Sequence, residues 1–373
     1  WSAEDNVAWR AELPGNGWSS PALRDDKIYL TASTGSVDDE NVSLRVLCVD
    51  ANDGSLQWNV EVFAPATDLA KQMHEKNSLA SPTLVLEADQ IIAHFGHLGT
   101  ASLNYDGDIE WRQQELTYEP QHGNGGSPVV VDEHVIFSCD GLDRQEVAAL
   151  DRRSGKVVWR TPRDTQAQRT FSFSTPLAIE VDGRQLVVSP GSGYVGAYAA
   201  DDGQEIWRVG YGEGFSVVPR PVFANGHVYV TSGFMRATLL AIDPRHAEGD
   251  VTENHVAWRH SRGVPTTPSI VVVDNLAFFV SDSGVASCLD ATTGKSLWQE
   301  RLGGGFSASP VVAEGRVYFT NEEGKTFVVN AARDYELLAE NELGERTLAS
   351  AAVADGALYL RTEKALYRLG ERP

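Results

Sequence analysis

Long apolar runs, cysteine and positive charge are all scarce in this chain of 373 residues. No apolar stretch approaches the roughly 20 residues that span a bilayer, so the sequence predicts no membrane span. The three cysteines, Cys48, Cys139 and Cys288, are too few and too widely spaced for a disulfide framework or a zinc site. Each lies in a strand-like apolar run, where we expect it to act as a small buried hydrophobic residue.

The shortage of basic residues excludes two classes of partner. Lysine and arginine number 31 against 52 aspartates and glutamates, which gives a formal net charge of −21. Phosphate-rich partners need a positive field, so nucleic acid and anionic membrane surfaces are not expected partners.

Helical patterns and catalytic motifs are also missing. Only residues 67–76 (TDLAKQMHEK) allow a turn or two of helix. No G-x-S-x-G, H-E-x-x-H or Walker A motif is found, so no catalytic or metal-binding residue is assigned. Residues 191–196 match G-x-G-x-x-G, but a strand and a turn follow where a dinucleotide site needs a helix.

Tryptophan, in contrast, is abundant, with nine residues against two methionines. Seven recur about 40–53 residues apart, each near the end of a short strand, which is the spacing of a structural repeat. These are Trp9, Trp58, Trp111, Trp159, Trp207, Trp258 and Trp298. A further step of the same size reaches Leu338, which we interpret as the substitute in an eighth copy.

Each copy contains two hairpin patterns. An alternating strand, an aspartate, a turn with glycine and a second strand precede the tryptophan, as in VLCVDANDGSLQW and SCLDATTGKSLW. A second hairpin follows a Ser-Pro or Thr-Pro pair in most copies, and proline is tolerated at the first residue of a strand. The pairs are Ser20-Pro21, Ser81-Pro82, Ser127-Pro128, Thr175-Pro176, Thr267-Pro268 and Ser309-Pro310, with Arg220-Pro221 and Ser350-Ala351 in the remaining two copies.

Four short strands in about 40–50 residues are typical of a propeller blade. The C-terminus offers three strands of blade 8, and the N-terminal strand NVAWRAEL offers the fourth, which removes both open edges. The sequence therefore predicts an all-β, eight-bladed β-propeller of four-stranded antiparallel blades, with blade 8 closed by the N-terminal strand. Residues 1–373 are expected to form one domain.

The pattern A-x-D-x-x-[ST]-G-x-x-x-W is clearest at residues 289–298 and 149–159. It resembles the PQQ-like (quinoprotein alcohol dehydrogenase-like) β-propeller repeat, and the whole chain is similar to the BamB group and to planctomycete PQQ-binding-like propeller proteins. The resemblance implies that each repeat tryptophan is wedged between neighbouring blades.

Three functions follow from this resemblance. The first is a non-catalytic exported propeller that binds a protein partner or small ligand at one face, BamB-like, monomeric and without a cofactor. The second is a PQQ- and calcium-dependent alcohol or polyol dehydrogenase, although the chain lacks adjacent cysteines and a recognisable calcium-ligand motif. The third is the sensor portion of a larger kinase-fused protein. Because the chain begins at Trp1, an upstream segment or signal is expected to be absent from it, and a periplasmic or otherwise exported location is expected.

Polar, glycine-rich loops are predicted to rim one mouth of the central funnel. Their basic residues would make a locally positive site for a small anionic or polyhydroxyl ligand, and their aromatic residues would stack on it. The candidate ligand-binding residues are Trp18, His74, Lys76, Asn77, His122, Asn124, Arg169, Phe173, Arg220, Phe306 and Arg346. The alternative that these side chains only fill the channel and bond to one another stays open at this point.

Overall fold

The computed structural model describes residues 1–36, 41–66, 68 and 73–371. Within them it contains 33 strands in eight sheets and one short 3₁₀ helix, Gly96–Leu98. Half of the stretch 67–76, where the sequence allows a turn or two of helix, lies outside the described residues, at 67 and 69–72. Nowhere in the described chain is there a helix long and apolar enough to cross a membrane.

The strands follow the predicted repeat. The chain begins with β1 (Val7–Glu12). Blade 1 contains β2 (Ala22–Arg24), β3 (Lys27–Thr34), β4 (Ser43–Asp50) and β5 (Leu56–Phe63). Blade 2 contains β6 (Val85–Leu86), β7 (Ile91–His94), β8 (Thr100–Leu103) and β9 (Ile109–Gln113). Blade 3 contains β10 (Val129–Val131), β11 (His134–Asp140), β12 (Gln145–Asp151) and β13 (Val157–Pro162). Blade 4 contains β14 (Leu177–Val181), β15 (Arg184–Pro190), β16 (Tyr194–Ala199) and β17 (Glu205–Gly210).

The second half of the ring repeats this arrangement. Blade 5 contains β18 (Val222–Ala224), β19 (His227–Thr231), β20 (Leu239–Ile242) and β22 (Val256–His260), with β21 (Gly249–Asp250) inserted before β22. Blade 6 contains β23 (Val271–Val273), β24 (Leu276–Val280), β25 (Val285–Asp290) and β26 (Ser296–Arg301). Blade 7 contains β27 (Val311–Ala313), β28 (Arg316–Thr320), β29 (Lys325–Asn330) and β30 (Leu337–Glu342). Blade 8 contains β31 (Ala352–Ala354), β32 (Ala357–Arg361) and β33 (Ala365–Leu369).

The prediction that the two ends of the chain share one blade is confirmed. Strand β1 pairs antiparallel with β33, from Val7 opposite Leu369 to Glu12 opposite Ala365. The first strands of neighbouring blades contact one another around the ring, so they surround the central axis. Each blade runs outward from this innermost strand, and its antiparallel turns alternate between the two faces.

Blade 4 differs from the four-stranded prediction. The insertion in blade 5 sends β21 back to pair parallel with β17, so this sheet has five strands. Ala247 and Val251 of the insertion pack in the same apolar cluster as Trp207, which is fully buried. The insertion therefore covers the seam between blades 4 and 5.

The repeat tryptophans lie between blades, as the resemblance implies. In six of the seven, the indole N–H donates to a backbone carbonyl in the second hairpin turn of the next blade. In five of these six, a glycine follows the acceptor two to three residues later; the turn of blade 7 has none. These bonds join Trp9 to Ala51, Trp58 to Tyr105, Trp111 to Arg152, Trp159 to Ala200, Trp258 to Ala291 and Trp298 to Ala332, at 2.8–3.3 Å. The turn requires glycine for two reasons, the backbone conformation and the space that the indole ring needs. Gly203, for example, has a φ of 74°, and a Cβ there would lie 2.4 Å from the Trp159 ring.

The eighth copy is different from the prediction. The strand register aligns Ala339, not Leu338, with the repeat tryptophans, because Ala339 pairs with Val328 as Trp298 pairs with Cys288. The Leu338 side chain is exposed. Trp1 takes the vacant place instead. Its ring stacks on Tyr318 at 6.3 Å, where Trp298 contacts the corresponding Phe278 at 6.0 Å.

The three cysteines are free and buried, as expected from their strand-like surroundings. Burial raises the pKa of the Cys48 thiol to about 11 and that of Cys288 to about 12. They are therefore packing residues rather than reactive thiols.

Candidate binding site in the propeller channel

A cavity of about 610 Å³ opens at one face of the ring, around the axis. All eight blades or the loops leading into them contribute to its wall, from Trp18 before blade 1 to Ser350 before blade 8. The turns that join second to third strands, such as the one carrying Phe234, also reach this face. The volume suits a small molecule or a short segment of a protein partner.

A ring of hydroxyl groups lines this cavity at the start of the innermost strands. We call its seven members the hydroxyl girdle: Ser20, Thr83, Ser127, Thr175, Ser269, Ser309 and Ser350. Each lies two residues before the first ladder pair of its blade, as Ser20 precedes the pair Ala22–Tyr29. Backbone N–H groups at this level donate to the hydroxyl of the next blade. The bonds run from Ser20 to Thr83, Thr83 to Ser127, Ser127 to Thr175, Arg220 to Ser269, Ser269 to Ser309 and Ser309 to Ser350, at 2.8–3.0 Å.

Blade 5 breaks the girdle with a positive charge. Arg220 occupies its position there, two residues before the pair Val222–Tyr229. Its side chain lines the cavity and is exposed there, and the protein atoms around it lower the pKa of the guanidinium by desolvation. Within the described part of the chain, no side chain accepts a hydrogen bond from this guanidinium or forms an ion pair with it.

An aromatic wall follows blades 2 to 5 around one side of the cavity. Its members are His74, His122, Phe171, Phe215 and Phe234, whose successive ring centroids are 5.4–5.7 Å apart. The guanidinium of Arg169 lies 4.9 Å from the centre of the Phe215 ring. Flat ring edges and faces of this kind suit an apolar or aromatic ligand group.

The histidine end of the wall is held by its loop. His122 adopts a φ of 70°, and its carbonyl accepts bonds from the His74 N–H at 3.2 Å and the Asn77 amide at 2.9 Å. Burial, together with the charge of nearby His74, lowers the pKa of His122. A neutral imidazole at this place leaves the wall less polar near neutral pH.

The other charged groups of the wall are already engaged. Lys76 donates to Glu322 at 2.7 Å. The two carboxylate oxygens of Asp282 accept from the backbone N–H and the hydroxyl of Thr266, at 2.7 and 2.9 Å. The lining thus has three basic side chains and one carboxylate, in a protein of net charge −21. That the funnel is locally positive, as the sequence predicts, stays a prediction.

Eight of the eleven candidate residues lie on the cavity wall. They are Trp18, His74, Lys76, Asn77, His122, Arg169, Phe173 and Arg220. Arg346 lies behind the wall, with its guanidinium 5.6 Å from the Trp18 ring and a bond to the Glu75 carbonyl. That any of them binds a ligand stays a prediction.

Two candidates lie away from the cavity, contrary to expectation. Asn124 is buried, donates to the Phe95 carbonyl at 2.7 Å and bonds to the His97 ring at 2.8 Å. It fixes the turn around Gly96 rather than facing the channel. Phe306 is fully buried in the core between blades 6 and 7.

The residues that sequence reasoning missed are mostly small and polar. The girdle members of blades 2 and 6 are Thr83 and Ser269, which follow the prolines, whereas Ser81 and Thr267 precede them. Aligning the alternating strands instead of the prolines would have found both. Phe234 and Asp282 lie in turns between second and third strands, outside the loops from which the candidates were drawn.

The donor set does not fit a calcium-bound quinone. Calcium takes six to eight oxygen ligands, mainly carboxylates and carbonyls. Asp282 is the one carboxylate on the wall among the described residues, and each of its oxygens already accepts a hydrogen bond from Thr266. No group of three or more His, Cys, Asp or Glu residues with metal-binding geometry is found in the described chain.

Comparison with known proteins agrees with this fold. The chain is 26% identical over 210 residues to the outer membrane protein assembly factor BamB of Legionella pneumophila, an alignment covering 53% of this chain and 48% of that protein. A second BamB, from Alkalilimnicola ehrlichii, is 26% identical over 61% of this chain and 51% of its own length. The chain thus spans about half the length of the curated relatives that it matches.

Two further similarities are more distant. The quinoprotein alcohol dehydrogenase PedE of Pseudomonas putida is 23% identical over 251 residues, which are 56% of this chain and 38% of that enzyme. The crystal structure of BamB from Moraxella catarrhalis superposes with a TM-score of 0.69 at 14% identity, covering 97% of both chains, and shows the fold alone.

The family model described as outer membrane protein assembly factor BamB matches residues 1–141, 43–192, 143–268 and 247–367. The chain therefore belongs to the family of outer membrane protein assembly factor BamB.

Proposed function

We propose that this protein is an exported, non-catalytic scaffold that binds a protein partner at the face bearing the cavity. Family membership supports the scaffold role, since the relatives are named as assembly factors. Export is part of the proposal because those relatives are factors of the outer membrane.

The observation that carries the proposal is an exposed apolar tip on the rim. Phe234 is 50% exposed and Met235 is 71% exposed, next to the aromatic wall. Met235 also has a φ of 84°, a region that residues with a Cβ rarely adopt. Adjacent exposed aromatic and methionine side chains are typical of a contact surface for a protein partner.

Site-specific photocrosslinking tests the choice of face. A benzophenone amino acid at position 234 is expected to give an adduct with a defined envelope protein, identified by mass spectrometry, in cells that export the chain. The matched control is position 56, where Leu56 is 46% exposed just after the Gly54 turn on the opposite face. Equal crosslinking from both positions, or an adduct from position 56 alone, would contradict the proposal that the partner binds at the face bearing the cavity.

The similarity to PedE supports a second candidate, a PQQ-dependent alcohol dehydrogenase. The single carboxylate on the described cavity wall argues against it, because calcium takes six to eight oxygen ligands. On incubation of the purified chain with PQQ and calcium chloride, we expect no alcohol-dependent dye reduction above a heat-denatured control. Reduction that needs PQQ, calcium and alcohol together would contradict the non-catalytic proposal.

A further inference from the structure

Arg220 stands where the other seven blades have a girdle hydroxyl, and the fold does not require an arginine there. Six of the seven hydroxyls at this level accept a backbone N–H from a neighbouring blade, and these bonds link the starts of the innermost strands. An arginine has no acceptor atom, so Thr175 of blade 4 has no such acceptor in blade 5. The ring therefore loses a link where Arg220 stands.

The described part of the protein provides no ion-pair partner for this guanidinium. No carboxylate lies within ion-pair distance of it in the described residues, and its surroundings lower its pKa by desolvation. An arginine that lines a cavity without a partner leaves its N–H fork free to bind an anion. The other cations nearby are accounted for, since Lys76 pairs with Glu322 and Arg169 stacks on Phe215.

The chemistry around Arg220 selects the kind of anion. One free guanidinium offers a planar fork of N–H donors, which matches the two oxygens of a carboxylate. The flanking girdle groups, Thr175 and Ser269, are neutral, so the subsite offers one positive charge and not the cluster that a phosphate dianion would need. Phe215 and Phe171 on the same wall offer an apolar surface beside it.

We propose that Arg220 and the adjoining girdle hydroxyls form a binding subsite for the carboxylate of a ligand with an aromatic or apolar group. The carboxylate belongs either to a free small acid or to the end of a peptide chain, and the two share this chemistry. The subsite does not depend on a protein partner, since a free acid would occupy it equally well.

The test is isothermal titration calorimetry on the purified chain at low ionic strength. The probes are phenylacetate, acetyl-Gly-Phe with a free carboxylate, and the C-terminal amide of the same dipeptide. Both acids, or one of them, are expected to bind, and the amide is expected not to bind. Stronger binding of phenylacetate would assign the subsite to free acids, and stronger binding of the dipeptide would assign it to chain ends.

Arg220→Ser is the decisive variant because it removes the charge and restores the missing hydroxyl of the girdle. It is expected to fold with an unchanged or higher Tm and to weaken acid binding at least about tenfold. The matched control is Arg316→Ser, which removes an exposed cation outside the cavity lining and is expected to keep affinity within about threefold. Arg220→Lys keeps the charge without the fork and is expected to lie between wild type and Arg220→Ser.

Three results would overturn the proposal: binding of the amide as tight as the acid, acid binding that survives Arg220→Ser, or no binding of either acid to the wild-type chain. Absence of acid binding with retained crosslinking from position 234 would contradict the carboxylate subsite and leave the protein-partner proposal standing. Loss of crosslinking with retained acid binding would remove only the protein-partner proposal.

Discussion

Replacing Trp207 with alanine is expected to lower the free energy of unfolding by about 3–5 kcal/mol, the usual cost of emptying a buried tryptophan site. This indole is fully buried between blades 4 and 5, under Ala247 and Val251 of the insertion. Those residues cannot close the space, because β21 is itself paired to β17 at Trp207. Equilibrium unfolding in urea, followed by circular dichroism, measures the loss. A change below about 1 kcal/mol would show that the insertion relaxes into the space.

A phenylalanine at the same place separates packing from hydrogen bonding. Among the repeat tryptophans of the described chain, Trp207 alone has an indole N–H without an acceptor, whereas that of Trp111 donates to the Arg152 carbonyl at 2.8 Å. Trp207→Phe therefore loses no hydrogen bond, and we expect it to cost about 1 kcal/mol less than Trp111→Phe. Equal costs for the two variants would mean that the indole bonds contribute nothing to the blade seams.

The same seams explain why the sequence predicts the fold so fully. At five of the seven seams a tryptophan and a turn glycine recur together, since the indole of one blade lies against the glycine of the next. This coupling leaves a periodic mark from Trp9 to Trp298, and the orphan N-terminal strand then has one place to go. Trp1 leaves no such mark. It fills the seam beside Tyr318 from outside the repeat, so spacing alone pointed to exposed Leu338.

The sequence predicts the residue types of the candidate site better than it predicts which of those side chains are buried. Loop composition places basic and aromatic residues at one mouth, and Trp18, Arg169 and Arg220 are found there. Composition does not tell which side chains of a loop turn into the core, as Asn124 and Phe306 do. It also undervalues serine and threonine, which are common in loops, although six of the seven girdle hydroxyls accept a backbone bond from the neighbouring blade.

His94 is expected to make the protein sensitive to mild acid. Its ring is buried against Phe137 at 4.4 Å and bonds to the Thr100 hydroxyl at 2.8 Å, and burial lowers its pKa to about 3. In the unfolded chain the pKa is near 6.5, so between these values the unfolded state binds the proton and the folded state does not. The contribution of neutral His94 to stability is thus present above pH 6.5 and is lost as the pH falls towards 3. At pH 4.5 the loss is about 2.7 kcal/mol.

The variant His94→Gln isolates this effect from the many carboxylates that titrate in the same range. Glutamine keeps a group that bonds to the Thr100 hydroxyl but has no proton to gain between pH 7.5 and 4.5. At pH 7.5 the variant is expected to be less stable than wild type, because it loses the ring contact with Phe137. The difference in unfolding free energy should then shift in favour of the variant by about 2.7 kcal/mol on going to pH 4.5. A difference that stays constant across this range would show that the imidazole is protonated, or reached by water, in the folded protein.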